Sequence, residues 1–110
     1  MVCPVGVFNE KLGGKWKLEI IYHLRNNTLR FGQLATVIDG ISRKVLTDHL
    51  KEMEKDQLIF RKSYNETPPR VEYSLTPVAE DLEPLLQQLG AWVGRHYSDQ
   101  TNRIGTKKPS

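Results

Sequence analysis

Residues 40–56, GISRKVLTDHLKEMEKD, constrain the fold of this chain more than any other stretch. They read as a turn that opens a helix. Ser42 is suited to the N-cap, where its hydroxyl can accept from backbone N–H groups of the first turn. Val45 stands three residues later, where a capping box would need Glu or Gln, so the cap acts alone. At about 100° per residue, Leu46, Leu50 and Met53 fall on one narrow stripe with His49 at its edge. Lys44, Thr47, Asp48, Lys51 and Lys55 fall roughly opposite, and Arg43 lies at a border. Such a helix can be anchored by its back and offered by its front to a DNA major groove. Taken alone it is also an ordinary amphipathic helix with a solvated face. Asp48, Glu52 and Glu54 dilute its positive charge.

The flanking residues narrow the choice. Cys3-Pro4 opens the chain with a proline suited to a first helical turn, and Val5, Phe8 and Leu12 recur at helical spacing. Gly13-Gly14 interrupts that helix. Residues 15–24 form a second one, with Trp16, Ile20, Ile21 and Leu24 on one broad face. Leu18 and Tyr22 lie on the other, which predicts burial on both sides, one of them at a subunit contact. Asn26-Asn27 ends the helix with residues that tolerate a left-handed turn.

Leu29-Arg30-Phe31 is a short extended link with strand character, and residues 32–38 form a short helix ended by Asp39-Gly40. A short helix, a tight turn and the helix capped by Ser42 make a helix-turn-helix. Residues 58–64 are strand-like, 65–70 form a loop stiffened by Pro68 and Pro69, and 71–75 alternate apolar and polar. A helix-turn-helix followed directly by such a hairpin is a winged helix. Thr76-Pro77 then starts a last helix, whose apolar face is Val78, Leu82, Leu85, Leu86, Leu89, Trp92 and Val93. Pro84 inside that pattern predicts a kink or break near residues 81–83. The face is more apolar than one small domain needs, which points to subunit association.

The expected fold is therefore mainly α (α+β): a winged helix-turn-helix with a two-stranded β wing and N- and C-terminal dimerisation helices. A chain of 110 residues suffices for a single domain, here over 1–100, followed by a polar flexible tail over 101–110. A net charge of +3 permits nucleic-acid binding without demanding it. No apolar run is long enough to span a membrane and no secretory signal is visible, so a cytoplasmic protein is expected. One cysteine, Cys3, leaves no intrachain disulfide.

The pieces together resemble the HxlR-type winged helix-turn-helix transcriptional regulators of bacteria, within the MarR-like winged-helix superfamily. The resemblance covers roughly residues 3–94. It rests on Cys3-Pro4, Gly13-Gly14-Lys15-Trp16, Leu29-Arg30-Phe31 with Leu34, and Gly40-Ile41-Ser42 with Lys44, Leu46-Thr47 and Leu50. Pro68-Pro69-Arg70-Val71-Glu72-Tyr73, Leu75-Thr76-Pro77 and Trp92 complete it. It implies a homodimer built through the first and last helices, binding double-stranded DNA at inverted-repeat operators. Ser42, Arg43, Lys44 and Thr47 would face base edges and phosphates, and Lys51 a phosphate. The wing from Asn65 to Arg70, with Arg61, Lys62 and Arg70 as its cations, would reach the flanking backbone or minor groove.

Three departures from the family pattern stand out. Asp56-Gln57 replaces the usual Asp-Gly after the recognition helix. In a left-handed conformation a non-glycine there costs about 1 kcal/mol. Ala91-Trp92-Val93-Gly94 lacks the cysteine that many members carry before this tryptophan. Glu66 in the wing opposes phosphate contact.

Cys3 carries the chemical hypothesis. Some members resemble redox or electrophile sensors through an N-terminal cysteine, and a thiol at a helix N-terminus can have its thiolate stabilised by the helix dipole. The competing reading is an inert terminal thiol. His23, His49 and His96 show no metal-ligand spacing, so no metal or cofactor is expected. Phe8, Trp16 and Trp92 could line an effector pocket at a dimer interface, or simply be core. Without a phosphate loop, a nucleophile with its base, or a recognisable carboxylate pair, the chain does not read as an enzyme. The alternative to a DNA-binding regulator is a winged-helix module whose helix meets a protein.

Overall fold

The structure is a computed structural model, and it describes residues 2–97. The expected tail over 101–110 lies outside them. The chain runs α1 (Pro4–Leu12), α2 (Lys17–Leu24), β1 (Leu29–Arg30), α3 (Phe31–Val37), α4 (Arg43–Lys55), β2 (Ile59–Tyr64), β3 (Arg70–Leu75), α5 (Pro77–Glu80) and α6 (Glu83–His96). This is the winged helix-turn-helix expected from the pattern.

The wing is more than a hairpin. The strands order as β1-β3-β2, all antiparallel. Leu29 pairs with Tyr73, and Ile59 with Leu75 through to Tyr64 with Arg70. The extended link before α3 thus ties the hairpin to the helix-turn-helix. Arg70, read from sequence as part of the loop, is the first residue of β3. Phe31, read as part of the extended link, begins α3 instead. The Gln33 side chain accepts from the Arg30 backbone N–H at 2.8 Å and so starts that helix one residue early.

The core gathers the apolar stripes that the periodicity marks. Ile20, Ile21 and Leu24 from α2, Leu34 from α3, and Leu46, Leu50 and Met53 from α4 are buried. Ile59, Tyr73 and Leu75 from the sheet, Ala79 from α5 and Leu86 from α6 close it. The final helix breaks where Pro84 requires, into α5 and α6. Tyr22 is exposed in the single chain and Leu18 is half-buried, so the second face of α2 is only partly covered. Among the described residues no helix is long and apolar enough to cross a membrane.

Among the described residues, two corners place a residue other than glycine in the left-handed region. Asn26 has φ 56° at the end of α2, and Gln57 has φ 61° after α4. The second is the position at which the resemblance implies a glycine. Thr76 secures it: its hydroxyl donates to the Gln57 carbonyl at 2.8 Å, and its N–H donates to the Leu58 carbonyl at 3.1 Å. The same hydroxyl accepts from Ala79 N–H and caps α5.

Candidate nucleic-acid interface

Helix α4 is launched by Gly40, at φ 87°, and by Ser42, whose Oγ accepts from the Val45 N–H at 3.0 Å. Burial of Leu46, Leu50 and Met53 turns the opposite side outward. Ser42, Arg43, Lys44, Asp48 and Lys51 are exposed and Thr47 half-buried. The structure therefore brings the predicted helix residues onto one accessible face. Lys44 Nζ lies 3.1 Å from Asp48, one turn away, and the Arg43 guanidinium sits 5.3 Å from the Phe31 ring.

Between α4 and the sheet lies a cleft of about 340 Å³, lined by Phe31, Thr47, Lys51, Glu54, Arg61 and Tyr73 among others. It joins Thr47 and Lys51 to Arg61 of the hairpin. Arg61 pairs with Tyr73 in register, which puts it on the α4 side of the sheet. Lys62 points to the other side, where its Nζ lies 5.0 Å from the Tyr64 ring.

Arg70 is held differently from the other cations. Its guanidinium donates to Glu66 at 2.8 Å and to Glu72 at 2.9 Å, and lies 3.9 Å from the Tyr64 ring. Glu72 also accepts from the Tyr64 hydroxyl at 3.0 Å. The hydrogen bond that Arg70 donates to Glu66, and the negative charge of Glu66 and Glu72, raise the Arg70 pKa above its ordinary value. The arginine is committed to neighbours within the wing.

Sequence reasoning missed Lys17. It is a buried charged residue, and its Nζ lies 2.6 Å from Glu52 on α4. The hydrogen bond from Lys17, then its charge, holds the Glu52 carboxyl below its usual value. A local signal marks one partner: at about 100° per residue Lys17 falls among Ile20, Ile21 and Leu24 on the apolar face of α2, where a charge needs a partner; which residue pairs it is not local, because Glu52 stands on another helix.

Cys3 is exposed at the N-cap of α1, its carbonyl accepting from Val7 N–H at 3.0 Å and its side chain making no cap bond. Phe8 and Trp16 pack against the core. Trp92 is exposed on α6 and tilts against His96 and Tyr97. Among the described residues no group of His, Cys, Asp and Glu could hold a metal ion.

The comparisons agree with this geometry. Residues 11–101 match the family described as HxlR-like helix-turn-helix. YkvN of Bacillus subtilis, described as an uncharacterized HTH-type transcriptional regulator, is 43% identical over 98 residues, 89% of this chain and 82% of that one. The crystal structure of a MarR-family transcriptional regulator from Porphyromonas gingivalis superposes with a TM-score of 0.79 at 42% identity, covering 86% of this chain and 92% of that one. The redox regulator HypR in its oxidized form gives a TM-score of 0.79 at 36% identity, covering 86% and 97%.

Proposed function

The chain belongs to the HxlR-like helix-turn-helix family, and from that premise we propose that it acts in the cytoplasm as a homodimer on inverted-repeat operators. It is a winged-helix, DNA-binding transcriptional regulator; the family and its relatives are regulators rather than enzymes. The observation that carries the DNA reading is the outward face of α4. Arg43, Lys44 and Lys51 stand exposed opposite a fully buried stripe.

In this reading Ser42, Arg43, Lys44 and Thr47 approach base edges and the phosphates beside them. Lys51, Arg61 and Lys62 meet phosphate, and Arg70 keeps the hairpin in shape. The dimer reading is supported by apolar residues left open on the terminal helices: Val5 on α1 and Leu85, Leu89 and Trp92 on α6 are all exposed. Exposed apolar residues grouped on two helices fit a protein contact.

Binding of a duplex titrated across salt concentrations tests the reading. Each neutralised phosphate adds about −0.9 to the slope of log affinity against log salt. A steep slope is expected. A flat one would contradict the DNA reading and favour a protein-interaction module.

The reading extends to Cys3 as a redox or electrophile sensor, supported by its exposure and by the likeness to HypR. With diamide, Cys3 and a second thiol from a partner chain or a small molecule form an S–S bond, and the diamide takes up the two electrons and two protons. An electrophile such as a quinone would instead be attacked by the thiolate. Either should change DNA affinity in the wild type and not in Cys3→Ser. Full modification without a change in affinity would leave Cys3 inert.

A further inference from the structure

Lys17 is a buried charge that the DNA interface does not use directly. An ammonium taken out of water is costly unless it is paired. Lys17 is 8% exposed, and it reaches Glu52 at 2.6 Å. The bond crosses from α2 to α4, from the scaffold to the helix that faces DNA.

The remaining hold on α4 from behind is apolar, through Leu46, Leu50 and Met53. The buried stripe sets which side of α4 faces outward, but apolar attraction is itself non-directional and leaves the fine rotation about the helix axis to polar contacts. A charge-assisted hydrogen bond has direction as well as strength. Glu52 and Thr47 are five residues apart, about 140° around the helix. A point fixed at Glu52 therefore sets where Thr47 and its neighbour one turn on, Lys51, are aimed. Trp16, next to Lys17, has its ring beside the turn that precedes α4: a Cβ on Gly40 would lie 3.7 Å from it. A second tie, Lys11 to Asp56 at 3.8 Å just past the end of α4, is longer and its lysine is exposed.

We propose that Lys17 and Glu52 are positioning residues of the DNA interface, and that their bond sets the rotation of α4 so that Thr47 and Lys51 meet the groove. This rests on the reading of α4 as the DNA-facing helix. It separates two roles of acidic residues on that helix. As bare charges they repel DNA; Glu52 helps recognition by aiming its neighbours.

The test uses the full chain as wild type, Lys17→Met, Glu52→Gln and the double variant. Each is titrated with a duplex selected from genomic fragments and with a random duplex of equal length, and its thermal unfolding is followed in parallel. Lys17→Met replaces a buried ammonium with an apolar side chain of similar length and leaves behind only Glu52, whose carboxylate is exposed to water, so its Tm should hold or rise. Each single variant should lose about fivefold to tenfold of the preference for the selected duplex, and the double variant no more than either, as expected for contacting residues. Glu52→Gln should keep or gain affinity for the random duplex, because a negative charge is gone. Preference within about twofold of wild type in both single variants would overturn the proposal. So would losses that add in the double variant or simply track a fall in Tm. A wild type that prefers no duplex would overturn the DNA reading and this proposal with it; a wild-type preference that the variants retain overturns the pair alone.

Discussion

Helix α4 and the hairpin beside it both carry lysine and arginine, but they hold them differently. On α4, Arg43, Lys44 and Lys51 project from a helix whose other side is buried, and the ion pair of Lys44 is an exposed one with Asp48. Exposed pairs of that kind contribute at most about 1 kcal/mol and yield readily to a phosphate. In the hairpin, Arg70 is gripped by Glu66 and Glu72 and stacked on Tyr64. Releasing it for DNA would leave two carboxylates beside the backbone it was meant to contact. A count of cations treats the two regions alike; in the proposed reading the α4 cations, with Arg61 and Lys62, are left to DNA, and Arg70 alone is given to the shape of the hairpin.

The comparison breaks most visibly through base recognition. Lys44→Ala or Thr47→Ala should shift preference among operator variants by about 1–2 kcal/mol at the contacted positions, measured by competition between duplexes. A uniform loss across all sequences would move those residues from bases to phosphate. Next comes the cap: Ser42→Ala removes the acceptor for Val45 N–H and should lower stability by about 1 kcal/mol in denaturant unfolding.

A change of similar size and opposite sign is expected at the far end of α4. Gln57 holds φ 61° without the freedom of glycine, so Gln57→Gly should raise stability by about 1 kcal/mol, and no change would mean that the Thr76 bonds already absorb the strain. Lys51→Ala and Arg70→Gln then sharpen the contrast directly. Lys51→Ala should weaken all duplexes alike and reduce the salt slope by about 0.9. Arg70→Gln should leave the slope where it is. If Arg70→Gln reduces the slope and Lys51→Ala does not, the roles assigned to the two regions are reversed.

The smallest effect is one of pH. Glu52 has a lowered pKa in the folded chain, so its pairing stabilises the fold above the unfolded carboxylate pKa and that contribution is lost as pH falls through the folded value. Acid unfolding of Lys17→Met should therefore depend less on pH across the carboxylate range than that of the wild type. Identical acid profiles would remove the pair from the account of stability.

What was legible in the sequence was local. The Ser42 cap, the apolar stripe of α4, the left-handed Asn26 and the break at Pro84 each follow from residues within a turn or two of one another. The strain at Gln57 was legible as well, because only one residue departs from the usual Asp-Gly. What the sequence concealed was contact that the fold brings about. Lys17 falls on the apolar face of α2, but its partner Glu52 stands on another helix; the partners of Arg70, Glu66 and Glu72, are close in sequence, and it is the hairpin geometry that turns both onto its guanidinium. The short extended link at Leu29-Arg30 becomes a strand only because β3 offers it an edge.

The most direct test of α4 as a DNA-reading helix is selection of bound duplexes from sheared genomic DNA of the source organism, using the reduced protein. The account predicts enriched fragments that share an inverted repeat, with half-sites about one or two helical turns apart, and loss of that enrichment when Thr47 and Lys44 are replaced by alanine. Enrichment no greater than in a control without protein would contradict it.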